Sequence, residues 1–256
     1  MIGKIDFHIE DLDCMKKYPK DLFYMGSTEL LKQKKVSIIG TRRPSSYTKF
    51  QTANISRMLS ARGVCIVSGA AMGVDSIAHQ NAGAHNTIAV MANGLDIRYP
   101  SVNKNIIEKI EKDGLTLSQF DTGFRATPWS FVVRNEIVVS LGEVLVVTEA
   151  DLKSGSMRSV DYALKMGKKI YVLPHRLGES EGTNYLMKNN LATVIYDIEE
   201  FVSGFGDVLI SKTDDFLEFC KTNPTYEESI HKYGDKVFEY ELNGKISIVN
   251  NIVSLI

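Results

Sequence analysis

From about residue 34 onward, short apolar runs alternate with longer stretches of helical period. The runs VSIIG (36–40), VCIVSG (64–69), TIAVM (87–91), LTLSQF (115–120), VLVVTEA (144–150), KIYVLP (169–174) and ATVIYD (192–197) read as strands. Between them, residues 48–62, 74–84, 102–112, 130–141, 156–167 and 183–189 read as helices. Several of the strands are apolar at every position, as strands are when helices cover both faces of a parallel sheet. The pattern predicts an α/β fold over residues 32–203: a Rossmann-like, doubly wound, mostly parallel sheet with helices on both faces. Residues 1–31 read as a short N-terminal extension. The stretch SGFGD (203–207) breaks the alternation and leads into a linker at 204–211. Residues 212–256 read as a small module of short helices and a hairpin turning at Asn250-Asn251, the order of a winged helix.

Composition narrows the class. At 44% hydrophobic and 24% charged, the 256 residues are ordinary for a globular protein. No apolar run approaches the ~20 residues of a membrane span. The N-terminus lacks a charged-then-apolar signal pattern, so no membrane association and a cytoplasmic location are expected. Cys14, Cys65 and Cys220 are odd in number and far apart, which predicts neither a disulfide framework nor a metal site. The formal net charge is −1, but it is unevenly spread: from Thr213 onward there are four lysines and eight acids, against 26 basic and 23 acidic residues before it. A nucleic-acid site therefore belongs in the first part of the chain.

In a doubly wound sheet, ligands bind beyond the carboxyl ends of the strands, which selects four segments. In Gly40-Thr41-Arg42-Arg43-Pro44, two guanidinium groups follow a strand, and their planar forks suit phosphate oxygens. Either arginine can equally be a surface charge, Arg43 more readily than Arg42. In Ser68-Gly69-Ala70-Ala71-Met72-Gly73-Val74-Asp75, small residues let amides face an anion at a helix start. The ordinary reading is a tight turn with Asp75 as an N-terminal helix charge. Its glycines are spaced GxxxG, not GxGxxG, and no acidic residue is placed to take a ribose, which argues against a dinucleotide. The third segment places Ser154, Gly155 and Ser156 at a helix start between Lys153 and Arg158; it resembles a phosphate cradle without P-loop spacing, and Ser154 also fits as a plain helix cap. In the fourth, TPWSFVVRNEIVVSLGE, Trp129 and Phe131 lie beside Arg134 and Asn135: either core aromatics or a stacking surface for bases.

Catalytic constellations are missing: there is no HExxH, no Cys/His pair and no GxSxG, and His79 sits in a helical stretch where a structural role is expected. No cofactor is expected. Donor-rich loops without a reacting group favour binding over catalysis.

Six segments in order, from VSIIGTRRPSSY and IVSGAAMGVDSIAH through FVVRNEIVVSL and VLVVTEADLKSGSMRSVDYAL to KKIYVLPHRLGESEGTNYLM, resemble the DNA-processing protein A (DprA/Smf) family over about residues 34–190. The resemblance implies an extended Rossmann fold that binds single-stranded DNA without sequence preference and is not an enzyme. It implies a homodimer that protects incoming DNA during natural transformation and helps load the RecA recombinase. It places the family's G-[ST]-R arginine at Arg42, its SG…G-[IV]-D loop at Ser68, Gly69, Gly73 and Asp75, its F-x-x-RN segment at Phe131, Arg134 and Asn135, and its SGS turn at Ser154, Gly155 and Ser156. Phosphates would then lie on Arg42, the glycine-rich turns and Lys153, and a base on Phe131. The chain departs from the family at Met72 and Glu136, both commonly arginine there, which predicts weaker binding or a shifted path that Trp129 and Arg125 compensate. The C-terminal module, about −4 in charge, is expected to meet protein rather than DNA. The alternative is a nucleotide-processing enzyme of the lysine-decarboxylase-like phosphoribohydrolase type, whose PGGxGT-type loop this chain lacks.

Overall fold

The structure, a computed structural model, describes residues 1–209 and 215–255. The chain forms two compact units, Met1–Val208 and Leu209–Ile256.

In the first unit, nine strands form one sheet: β1 (Gly3–Lys4), β2 (Phe23–Gly26), β3 (Lys35–Ile39), β4 (Cys65–Ser68), β5 (Thr87–Val90), β6 (Leu115–Ser118), β7 (Val144–Val147), β8 (Lys169–Val172) and β9 (Thr193–Val194). Their order is β1-β2-β6-β5-β4-β3-β7-β8-β9. The seven strands from β6 to β9 run parallel, and β2 and β1 add antiparallel neighbours beside β6. Seven α-helices connect and flank the sheet: α1 (Ser46–Ser60), α2 (Val74–Ala82), α3 (Lys104–Asp113), α4 (Pro128–Leu141), α5 (Gly155–Lys165), α6 (Glu181–Lys188) and α7 (Ile198–Ser203).

Strand alternation sorts the core into two layers. Val36 and Ile38 of β3 and Ile66 of β4 meet Ile55 and Leu59 of α1 and Val74 and Ala78 of α2. Ile39, Val67, Leu145 and Val147 point the other way, into the layer that holds Ile137 and Leu141 of α4, Val160 of α5 and Leu186 of α6.

Residues 1–31, read from sequence as an extension, supply β1 and β2 and bury Leu12, Leu22, Leu30 and Leu31 in that second layer. The mixed run Phe23-Tyr24-Met25-Gly26 owes its strand state to pairing with the edge of β6, Tyr24 opposite Leu117, rather than to its own pattern. Helix α7 is capped by Asp197, whose carboxylate accepts from the Glu200 amide. The helices at 46, 128 and 155 begin before the apolar period does. Their caps Ser45, Thr127 and Ser154 accept from the third helical amide, and Pro128 occupies the first position of α4.

The second unit contains α8 (Asp215–Cys220), α9 (Tyr226–Tyr233), α10 (Lys236–Leu242) and the hairpin β10 (Ile246–Val249) and β11 (Ile252–Leu255). Phe216, Cys220, Val237, Ile246 and Val253 form its core. Asn250 and Asn251 turn the hairpin with φ of 50° and 65°, the left-handed pair that suits a two-residue turn. Of the linker and module boundaries expected at 204–211 and 212–256, residues 210–214 and 256 lie outside the described residues. Among the described residues, no helix is long and apolar enough to cross a membrane.

Candidate functional site

The chain leaves β3 toward β4 and returns to pair β7 on its other side. Such a reversal opens a crevice at the carboxyl ends of β3 and β7. A groove of about 670 Å³ lies there, lined by Arg42, Tyr99, Phe131, Arg134, Asn135, Ser154, Gly155, Ser156 and Arg158, among others. A hollow of about 740 Å³ between the N-terminal segment and the start of β3 mixes Glu10, Asp11 and Glu143 with Lys32 and Lys35. The ammonium of Lys35 is already spent there on the carbonyls of Leu31 and Gln33, each 2.7 Å away.

The groove's first wall is the turn after β3. The Thr41 amide donates to the Glu149 carbonyl at 2.8 Å, and the amide and hydroxyl of Ser45 both donate to the Glu149 carboxylate, at 3.0 and 2.9 Å. These bonds fasten the arginine turn to the end of β7. Arg42 itself is exposed, and its guanidinium lies 5.5 Å from the centre of the Phe131 ring. The guanidinium of Arg134 lies 5.9 Å from the same ring. Phe131 thus has a cation on either count within cation–π range, and Tyr99 tilts against it at 6.1 Å.

Arg134 is only 3% exposed. Its Nη1 donates to the Val90 carbonyl at 2.8 Å, while its Nε has no hydrogen-bond partner. Gly69 makes room for it: a Cβ there would fall 1.6 Å from Nη1. Burial pushes the guanidinium down to about 10, with Asp75 opposing the fall and Arg42 adding to it, so it stays charged at neutral pH. Asp75 is the counter-charge. Burial raises its carboxyl, and Arg134 together with the amides of Ala71 and Gly69 pulls it back.

Those amides decide what the glycine-rich loop does. Gly69 and Ala71 donate to Asp75 Oδ2 at 3.2 and 3.3 Å. The Ala70 amide donates to His79 Nε2 at 3.3 Å. His79 then carries its proton on Nδ1, 2.6 Å from the Thr87 hydroxyl, which itself donates to the Ile66 carbonyl. Burial, reinforced by Arg134, pushes His79 down to about 3, so the ring is neutral. The loop that reads from sequence as a phosphate cradle is filled from within, by a carboxylate and an imidazole of its own helix. Gly73 joins this loop to the arginine turn: its φ is 82°, and a Cβ would lie 2.4 Å from the Thr41 carbonyl oxygen.

The start of α5, by contrast, faces the groove. Ser154 caps the helix through the Met157 amide, and Ser154, Gly155 and Ser156 line the groove. The first turns of α1, α4 and α5 carry no acidic residue, although acids are favoured at helix N-termini. At α1 the Glu149 carboxylate, bonded to the cap Ser45, takes that place, whereas α4 and α5 have no acid of their own in the first turn.

The sequence-selected residues divide accordingly. Arg42, Asp75, Phe131, Arg134, Asn135, Ser154, Gly155, Ser156 and Arg158 line the groove, Asp75 from beneath. Ser68 does not: it is fully buried and donates to the Ile38 carbonyl at 2.6 Å. Gly69, whose amide donates to Asp75, and Gly73 shape the loops and are not among the groove lining. Trp129, 62% exposed, stands edge-on to Phe120 at 5.9 Å and away from the groove lining. Arg43 and Lys153 are exposed beyond it. Glu136 accepts from the Lys16 amide at 3.0 Å and is not part of the lining, so its charge acts outside the groove. Met72 borders a small hollow beside Arg42 and Tyr99. Tyr99 escaped the sequence reading; its signal is its place in Arg98-Tyr99-Pro100, in the long loop after β5.

A family model described as DNA recombination-mediator protein A matches residues 6–206. The chain is 34% identical over 190 residues to DNA processing protein DprA of Streptococcus pneumoniae, covering 72% of this chain and 66% of that protein. It is 31% identical over 202 residues to Protein Smf of Escherichia coli K12, covering 77% and 54%. Among solved structures, DNA processing protein A of Helicobacter pylori, described for its single-stranded DNA binding mode, superposes with a TM-score of 0.78 at 41% identity over 80% of this chain and 95% of that one. DNA processing protein A of Streptococcus pneumoniae superposes with a TM-score of 0.71 at 30% identity, covering 80% and 75%. The chain spans between half and two thirds of the length of the curated relatives it matches.

Proposed function

Because the chain belongs to the DNA recombination-mediator protein A family, we propose that it binds single-stranded DNA without sequence preference, protects incoming strands and helps load the RecA recombinase on them during natural transformation. The observation that carries the reading is Phe131 within cation–π range of both Arg42 and Arg134, in the groove that the start of α5 also lines. Arg42, Arg158 and the amides and hydroxyls of residues 154–156 take backbone phosphates. A base stacks on Phe131, with Tyr99 as its neighbour, a contact worth ~1–3 kcal/mol per base and indifferent to base identity. The Helicobacter pylori relative, described for single-stranded DNA binding, supports the same ligand class.

The protein acts by binding, in the cytoplasm, as a homodimer. The phosphoribohydrolase alternative needs a cradle for a nucleotide phosphate and a reacting carboxylate; in this chain the amide cradle is filled by Asp75, and that carboxylate is buried. The second unit, three helices and a hairpin, we read as a winged-helix-like module whose eight acids against four lysines suit a protein partner.

Fluorescence anisotropy with an oligothymidine and with a duplex of equal length tests the reading. Tighter binding of the single strand, weakening steeply with salt, is expected. Equal affinity for both, or binding insensitive to salt, would overturn it. Base release from nucleoside monophosphates would revive the enzyme.

A further inference from the structure

A second aromatic surface lies one turn of chain beyond Arg42. Tyr47 and Phe50, at i and i+3 on the exposed face of α1, are 41% and 64% exposed. Tyr47 is not loose. Its ring stands edge-on to His175, with centroids 5.5 Å apart and planes at 88°, and His175 Nε2 donates to the Thr148 carbonyl at 2.7 Å. Thr148 directly follows β7, so this ring is braced from the same sheet edge that carries the groove. The turn between Arg42 and Tyr47 is braced there too, through Ser45 and Glu149. Arg43 and Lys49, close by in sequence, and Arg176, next to His175, are exposed. Glu149, the acid nearest in this turn, has its carboxylate engaged by Ser45.

Isolated exposed aromatics are ordinary on a protein surface. Two that neighbour each other on one helix, one braced, beside the arginine turn and with exposed cations close by in sequence, match what a single strand requires: π-faces for successive bases and positive charge along its backbone. We propose that Tyr47 and Phe50 form a second stacking platform, which receives the nucleotides of the same strand that leave the groove past Arg42, with Arg43 and Arg176 on their phosphates. The inference rests on the reading of the groove as a single-strand site. It assigns Arg43, outside the groove lining, to the second segment of the strand's path.

The test is length dependence. Affinities are measured for thymidine strands of about five to about fifteen nucleotides with the unaltered chain, Tyr47→Ala/Phe50→Ala and Arg42→Ala, with circular dichroism confirming that each variant is folded. The unaltered chain is expected to gain about tenfold once the strand outgrows the groove. The Tyr47→Ala/Phe50→Ala variant keeps the short-strand affinity and loses that gain; Arg42→Ala weakens at every length. Photo-crosslinking with 4-thiothymidine is expected to reach residues 47–50 with long strands only. Identical length dependence in the double variant and the unaltered chain overturns the platform and leaves the groove standing. A double variant that changes the mass of the DNA-free protein while its strand affinities stay intact overturns it in favour of a contact between copies. If the unaltered chain binds no strand of any length, the groove reading fails, and the platform falls with it.

Discussion

The tightest packing in the site can be probed with one methyl group. Gly69→Ala places a Cβ 1.6 Å from Arg134 Nη1 and 2.3 Å from its Cζ. The φ of Gly69 is not among the positive ones, so alanine meets no backbone penalty, and in an open turn the change would stabilise by about 0.4–1 kcal/mol through the unfolded chain. Here the guanidinium must move. It gives up its bond to Val90 and shifts relative to buried Asp75, whose carboxyl its charge holds down. Forcing an extra methyl into a packed site costs about 1–3 kcal/mol, and the lost bond of a buried charged group about as much again, so Gly69→Ala is expected to lose roughly 3 kcal/mol. For a unit of this size that lowers the melting temperature by roughly 6–12 °C. Urea unfolding followed through Trp129, the only tryptophan, reports on the first unit. A cycle with Arg134→Met isolates the cause: with no guanidinium to displace, Gly69→Ala should cost within about 0.5 kcal/mol, leaving a coupling of roughly 3 kcal/mol. Additive losses, or a Gly69→Ala protein as stable as the parent, would refute the packing of Arg134 against Gly69.

Other perturbations have equally definite outcomes. Arg42→Ala should weaken single-strand binding about tenfold or more by removing a charge-assisted phosphate contact, and should reduce the slope of log affinity against log salt by about 0.7, read by anisotropy at several salt concentrations. His79, neutral and pushed down to about 3, binds fewer protons in the folded state than in the unfolded one. Its share of stability is therefore complete above pH ~6.5 and is lost as pH falls toward about 3, at up to ~1.4 kcal/mol per pH unit. Asp75, with its carboxyl raised, works in the opposite direction, losing stability as pH rises through its folded value. Melting temperatures from pH 7 to pH 4 should fall for the parent and flatten for His79→Gln. Leu12→Ala, at a fully buried position of the N-terminal segment, should cost about 2–5 kcal/mol; a neutral result in urea unfolding would detach that segment from the core.

The parallel strands were legible because both their faces are buried, which leaves uninterrupted apolar runs such as Val144–Val147. The edges were not: Phe23–Gly26 and Gly3–Lys4 become strands by pairing with a neighbour, information that resides in β6 rather than in their own residues. In the site, Arg42, Phe131 and the turn at 154–156 could be read because exposed chemistry follows strand ends. That Ser68 and Gly69 face inward was not legible, because sequence cannot tell a loop whose groups face solvent from one whose groups bond Ile38 and Asp75. The clue lay in an arginine inside the apolar run Phe131–Leu141: a charge at that position needs a buried partner and a gap, and Asp75 and Gly69 supply them.

The nine-stranded sheet ends on each side in a strand of two residues, Gly3–Lys4 and Thr193–Val194. An incoming chain would find only a couple of backbone groups to pair with at either rim. Growth by strand addition, the usual hazard of an open sheet, is thereby starved of hydrogen bonds. Self-association of this unit has to be written in side chains on its helices and loops, where a single substitution can dissolve it, and not in the backbone, where it would be hard to reverse.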